Sequence, residues 1–164
     1  MMGHSMTKTV TKDSQVGGFQ VVSFLIRETT YAVNIGRVRE IIYFKKPTPL
    51  PEAPPFVEGI LDLRGTVVPI IDLKKKMGMA AEAVPAPKHI LIINIKNSIL
   101  GIIVDEVREV LQLMKDQIQA PQKIHKGPGA RYLTGVSKVG EKMVFLLDLD
   151  ALLTGDEQAR LGEI

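Results

Sequence analysis

The stretch Gly59–Leu73, GILDLRGTVVPIIDL, and a weaker copy at Gly135–Leu149, GVSKVGEKMVFLLDL, decide how this chain is read. Each copy has two apolar, β-branched runs flanking a short polar centre, and each ends on Asp-Leu. That pattern predicts a β-hairpin, with Arg64-Gly65 at the tip of the first copy. The second copy has Gly140 where the first has Arg64, so the duplication is not faithful at its most exposed point.

Working outward, Val38-Arg-Glu-Ile41 recurs as Val107-Arg-Glu-Val110 at an offset of 69 residues, and Ile71-Asp-Leu73 recurs as Leu147-Asp-Leu149 at an offset of 76. The second copy therefore carries one longer connection. Without a gap, Phe24–Ile42 falls on Ile93–Leu111, apolar against apolar at most positions. The runs Val21–Ile26 and Ile90–Ile95 each meet a short polar break, Arg27–Thr30 or Lys96–Ser98, before a second apolar run, which predicts a further hairpin per copy. The segment Ile35–Ile42 fits both a helical and a strand period. Gly36 and the following Tyr43-Phe44 favour a strand from near Val38, with Val38, Glu40 and Ile42 on one side.

The prolines of Lys45–Phe56 exclude a central strand or long helix, so this segment reads as a covering loop. Pro69 marks an edge or bulge in its strand. Both copies close alike, with Asp72 or Asp148 as an N-cap, a short helical run, and Gly78 or Gly155 as the residue that ends it. About five strands in about 60 residues form a small barrel, whose closure removes exposed edges, and two such barrels need to pack on each other to be stable. The expected fold is all-β, with two five-stranded barrel subdomains and short helices ending the repeats. Barrel one spans about 19–84 and barrel two about 85–153. The polar segment 1–18 is expected to be flexible and 154–164 to be a tail.

Composition narrows the function. The chain has 45% hydrophobic residues and no cysteine, which excludes disulfide and thiolate chemistry and suits a reducing cytoplasm. Neither a signal-peptide core nor a bilayer-long apolar run is present. The charge of +3 is scattered, and Lys74-Lys75-Lys76, the only run of three, reads as a solvated helix end. His4, His89 and His125 lack metal-ligand spacing. No nucleophile elbow, phosphate-binding loop or dinucleotide pattern occurs. Asp148 and Asp150 are better explained by a cap and by solvent than by acid–base chemistry. An enzyme is thus the least supported class, and no cofactor is implied.

YAVNIGRVREII, a proline-containing loop and FVEGILDLRGTVVPIIDLKKKMG together resemble the signature half of the CheW family, the coupling proteins of bacterial chemotaxis. The resemblance runs from about Phe19 to Leu153 and includes HILIINIKNSILGIIVDEVREVL and YLTGVSKVGEKMVFLLDLDALL. It implies two SH3-like five-stranded barrels around a shared hydrophobic seam and an adaptor without catalysis. The implied partners are the regulatory domain of the histidine kinase CheA and the cytoplasmic tip of methyl-accepting chemoreceptors, held in membrane-associated arrays. The same domain ends CheA kinases and begins CheV proteins; with only Thr154 to Ile164 after Leu153, neither a kinase nor a receiver is expected in this sequence.

Carried over by the same resemblance, Val38, Glu40, Gly59 and Arg64 are candidate receptor contacts. Ile42, Tyr43 and Phe44, with Lys123 and Ile124 in the longer connection, are candidate kinase contacts. Plainer readings stand beside these: a solvated arginine for Arg64, a core residue for Val38 as for Val107, a strand-entry turn for Gly59 and core packing for Ile42–Phe44. Duplication would then supply the scaffold while one copy alone carries the coupling arginine. The basic pI keeps one rival of another class, a nucleic-acid-binding SH3-like module with steeply salt-dependent affinity.

Overall fold

In the computed structural model, residues 18–79, 86–120 and 131–162 are described. They form β1 (Gly18–Ile26), β2 (Thr29–Asn34), β3 (Val38–Tyr43), β4 (Val57–Leu63), β5 (Thr66–Asp72), α1 (Leu73–Lys76), β6 (His89–Ile95), β7 (Ser98–Val104), β8 (Glu106–Met114), β9 (Ile118–Gln119), β10 (Leu133–Val139), β11 (Lys142–Leu147) and α2 (Gly155–Gly162). Short 3-10 turns occupy Ile35–Arg37, Lys115–Gln117 and Leu149–Ala151. The hairpins, the strand from Val38 and the Asp72 and Asp148 caps agree with the sequence.

The strands assemble into two sheets, one of six strands ordered β8-β1-β2-β11-β10-β9 and one of five ordered β3-β6-β7-β5-β4. The boundary expected near residue 84 does not separate them. The first hairpin of each repeat has changed places: β1–β2 joins β8 and β9–β11, while β6–β7 joins β3–β5. The exchanged hairpins are tied in by antiparallel β1·β8 and β3·β6 ladders and by parallel β2·β11 and β5·β7 ladders. The two ends of the six-stranded sheet, β8 and β9, are linked directly by the Lys115–Gln117 turn, which curls the sheet. The five-stranded sheet has a vestige of the same sixth strand, a single bridge between Thr48 and Ile60. Pro47 and Pro49 flank Thr48, and their rings fix φ near about −65°, short of a fully extended strand.

The repeat is written into the irregularities. Register shifts fall between Val57 and Gly59 and between Leu133 and Gly135, equivalent places in the two copies. Asp72 N–H donates to the Phe56 carbonyl, and Asp148 N–H to the equivalent Tyr132 carbonyl. Each aspartate also caps the turn that follows, accepting from Lys74 N–H or Asp150 N–H. Gly78, at φ +77, ends the α1 turn as expected. Gly155 does not end its turn; it opens α2. Pro69 lies in an interior strand, one residue before β5 begins pairing with β7 at Ile70, where its missing N–H costs no ladder bond.

The largest apolar cluster is the seam between the sheets, where Phe24, Ile26, Tyr31, Ile71, Leu91, Ile93, Leu100 and Ile102 are buried together. Smaller clusters fill each barrel, around Leu63, Val68, Ile90 and Ile92 in one and Val21, Leu113 and Val144 in the other. A fully buried aliphatic side chain contributes about 2 kcal/mol, so most of the apolar stabilisation lies between the sheets. The segment Gly155–Gly162 of the expected C-terminal tail is helical and anchored to this seam through Leu161. Leu152, Leu153 and Leu161 pack into it, and α2 starts with a reciprocal cap in which Thr154 Oγ1 accepts from Glu157 N–H and Glu157 Oε1 accepts from Thr154 N–H.

Candidate functional site

Leu63 pairs with Thr66, leaving Arg64-Gly65 as a two-residue loop. Both loop residues have positive φ, +53 and +90, as a type I′ turn requires, and Asp62 Oδ1 holds the turn by accepting from Gly65 N–H at 2.8 Å. In the second copy Gly140 alone has positive φ. A positive φ at the first position only is the pattern of a type II′ turn, which puts glycine there and leaves no side chain at the point equivalent to Arg64.

The Arg64 guanidinium lies over the open end of the five-stranded sheet, where Nη2 donates to Glu40 Oε1 at 2.5 Å. The hydrogen bond and charge of Glu40 raise the Arg64 pKa, while the side chain remains 73% exposed and retains four unused donors. Glu40 is brought there by a bulge at Arg39, where β3 has one residue more than β6 between Val38 and Glu40. Plain alternation would put Val38 and Glu40 on one side. The bulge instead sends Val38 to the seam cluster and Glu40 to the mouth of the barrel. A pocket of about 160 Å³ lies there, floored by Leu63, Val68, Ile92 and Ile99 and rimmed by Arg39, Glu40 and Arg64. Arg39 is exposed and has no carboxylate partner among the described residues, so the rim is net positive. In the six-stranded sheet Glu109 is the counterpart of Glu40. With Gly140 in place of the arginine, its carboxylate pairs with Lys142, at 3.6 Å.

The structure thus joins Glu40 with Arg64 and separates them from Val38 and Gly59, neither of which lines the pocket. Gly59 is buried at φ +150, and a Cβ there would overlap the Thr48 carbonyl oxygen, so its glycine is demanded by the chain crossing above it. Ile42 and Phe44 are half-buried against the interior of the five-stranded barrel, whereas Tyr43 is 78% exposed and stacks on His89 with ring centroids 5.6 Å apart. Lys123 and Ile124 lie outside the described residues. The apolar pocket floor and the partly buried Ile35, Ile41 and Val110 beside Val38 escaped the sequence reading. Val110 carries a signal there, being the repeat counterpart of Ile41.

The lysine run is not a solvated patch. Lys74 pairs with Asp105 at 2.7 Å, Lys75 with Glu58 at 2.6 Å and Lys76 with Glu157 at 2.6 Å. Asp150 is likewise paired, with Arg37 at 2.8 Å, and that hydrogen bond lowers its pKa. His89 is buried, and its Nδ1 accepts from Val107 N–H at 3.0 Å; burial, more than its charged neighbours, depresses its pKa. Among the described residues no group of His, Cys, Asp or Glu could hold a metal ion, and no helix is long and apolar enough to cross a membrane.

Two curled sheets sharing an apolar seam, with a single cationic tip over one barrel mouth, define a scaffold of two SH3-like subdomains. The family model for the CheW-like domain matches residues 20–157. The chain is 32% identical to a chemotaxis protein CheW of Treponema pallidum, across 98% of this chain and 95% of that one. It is 33% identical to a CheW of Rhizobium meliloti, across 87% and 92%. Its fold superposes on the crystal structure of the scaffolding protein TtCheW from Thermoanaerobacter tengcongensis with a TM-score of 0.76 and 31% identity, covering 85% of this chain and 94% of that one. The chain belongs to the CheW-like family, and its role is that of a chemotaxis adaptor or scaffold. The nucleic-acid reading finds no support in these relatives.

Proposed function

We propose that this chain couples methyl-accepting chemoreceptors to the regulatory domain of the histidine kinase CheA by protein contacts alone, without catalysis of its own, in cytoplasmic arrays beneath the membrane. The observation that carries this reading is the Glu40–Arg64 pair at an exposed, positively rimmed barrel mouth. A guanidinium with spare donors above an apolar floor suits the side of a receptor hairpin that offers a carboxylate or carbonyl beside apolar side chains. Val38, at the edge of the seam, and Gly59, through the chain crossing that it permits, support the same face from behind. For the kinase, exposed Tyr43 on the edge strand β3, with Ile42 and Phe44 behind it, offers an aromatic anchor. Lys123 and Ile124 are assigned to a second kinase contact.

The test is reconstitution of receptor, kinase and this protein with Arg64→Glu. Retained kinase binding with loss of receptor-dependent activation supports the reading. Full activation by the variant removes Arg64 from the coupling face, and failure of the unsubstituted protein to bind the kinase domain removes the adaptor assignment as a whole.

A further inference from the structure

A second polar concavity, of about 360 Å³, lies away from the Arg64 mouth, where α1, α2 and the starts of β4 and β10 meet. Its walls include Phe56 and Tyr132, equivalent residues of the two repeats, both nearly fully buried. Between them the Lys76 ammonium sits 4.6 Å from the Phe56 ring centre and 6.0 Å from that of Tyr132, with its side chain 8% exposed. The ring faces and Glu157 stabilise this nearly buried charge. Burial would push the Glu157 carboxyl up, but its bonds to Lys76 and Thr154 outweigh that effect and hold it below the usual range.

Two further cations stand at the rim. Arg131 lies 4.9 Å from the Tyr132 ring centre and donates one N–H to Tyr132 Oη at 2.7 Å; no carboxylate pairs with it among the described residues. Lys75 is half exposed and, among the described residues, paired only with Glu58, just outside the pocket. Tyr132 Oη accepts from Arg131, so its own proton is left to donate. The repeat sharpens the asymmetry. The positions equivalent to Arg131, Lys75 and Lys76 are Pro55, Ala151 and Leu152, so the cations converge on one pocket rather than being shared between two.

We propose that this pocket binds an anionic group, a carboxylate or a phosphate, with the Arg131 fork and the Tyr132 hydroxyl as its hydrogen-bond donors and Lys75 as a swinging counter-ion. Lys76 is the floor charge, already answered by Glu157, so it contributes potential rather than a direct bond. The cavity admits a single acidic side chain or a free phosphate and is too small for a folded element. Its location on the seam would let an occupant tie α2 to both sheets.

The experiment is a titration of the intact protein, followed by amide and arginine Nε nitrogen–proton NMR. Sodium phosphate and sodium glutamate are added separately, each against sodium chloride at matched ionic strength. Saturable shifts at Phe56, Arg131 and Tyr132 are expected with at least one of the two anions, and whether phosphate or glutamate gives them identifies the source. Arg131→Gln weakens binding by about tenfold or more. Lys75→Ala weakens it by a smaller factor, and Lys138→Ala, exposed on β10, leaves it unchanged. Shifts that follow sodium chloride equally, or an affinity unaltered in folded Arg131→Gln, overturn the proposal. If Arg131→Gln fails to fold, Arg131→Lys, which keeps the charge but loses the fork, carries the same test.

Discussion

Glu40 and Arg64 meet at 2.5 Å across the mouth of the five-stranded barrel, one delivered by a bulge and the other by a type I′ turn. The contact is exposed, so it orients the guanidinium more than it holds the fold together. Arg64→Glu is expected to leave the thermal midpoint close to that of the parent protein while abolishing most receptor-dependent kinase activation. The exchange Glu40→Arg with Arg64→Glu restores the pair with reversed polarity. Its activity, measured in the reconstituted complex, should remain low if the partner reads the sign of the exposed charge, and should recover if only the internal pair matters.

Gly59→Ala is expected to destabilise the protein by about 2 kcal/mol or more, because its Cβ would meet backbone at a strained φ. Urea denaturation measures this directly. Gly65→Ala, at φ +90 but with open space around it, should cost about 1 kcal/mol. Coupling defects of Gly59 variants should therefore follow their loss of folded protein, whereas those of Arg64 variants should not.

Stability should fall on acidification through His89. Its folded pKa lies below the unfolded value of about 6.5, so the unfolded chain takes up the proton first. The neutral ring's contribution is complete above about pH 6.5 and is lost as pH falls from there towards the folded pKa. Protonation at Nδ1 would also end its acceptance from Val107 N–H. In His89→Phe the pH slope of the unfolding free energy between 5 and 7 should flatten, and overall stability should drop by about 1 to 3 kcal/mol because that buried N–H loses its partner. An unchanged slope would exclude His89 as its source.

Asp72→Ala and Asp148→Ala remove equivalent caps on different sheets. Each should cost about 1 kcal/mol by urea denaturation, and the double variant should approach the sum because the two caps share no partner.

Local periodicity revealed the hairpins and both caps, because each depends on residues close in the chain, and the repeat showed when those local patterns recurred at offsets of 69 and 76 residues. Nothing local encodes which sheet a hairpin joins: β1–β2 has the same alternation wherever it docks, so the exchange between repeats was illegible. The bulge at Arg39 was hidden for a related reason. Its extra residue exists only relative to β6, far along the chain, and without it Val38 and Glu40 fall on one face. Arg64 was legible through its turn chemistry, but its contact with Glu40 follows from that unseen bulge. The lysine run looked solvated because its acidic partners lie far apart in the chain, Glu58 on β4, Asp105 in the bend between β7 and β8, and Glu157 on α2.

The exchanged hairpins make the two barrels one thermodynamic object. Neither sheet can be completed by one half of the chain, since Phe24 must find Val107 and Val38 must find Ile93 before either ladder exists. Pairings over such sequence separations delay folding and make it all-or-none. Melting should accordingly show one transition rather than two, and a protease cut between α1 and β6 should yield two fragments that stay associated, each useless without the other. If the chain holds a receptor and a kinase as proposed, this joint construction prevents one binding face from loosening while the other stays intact.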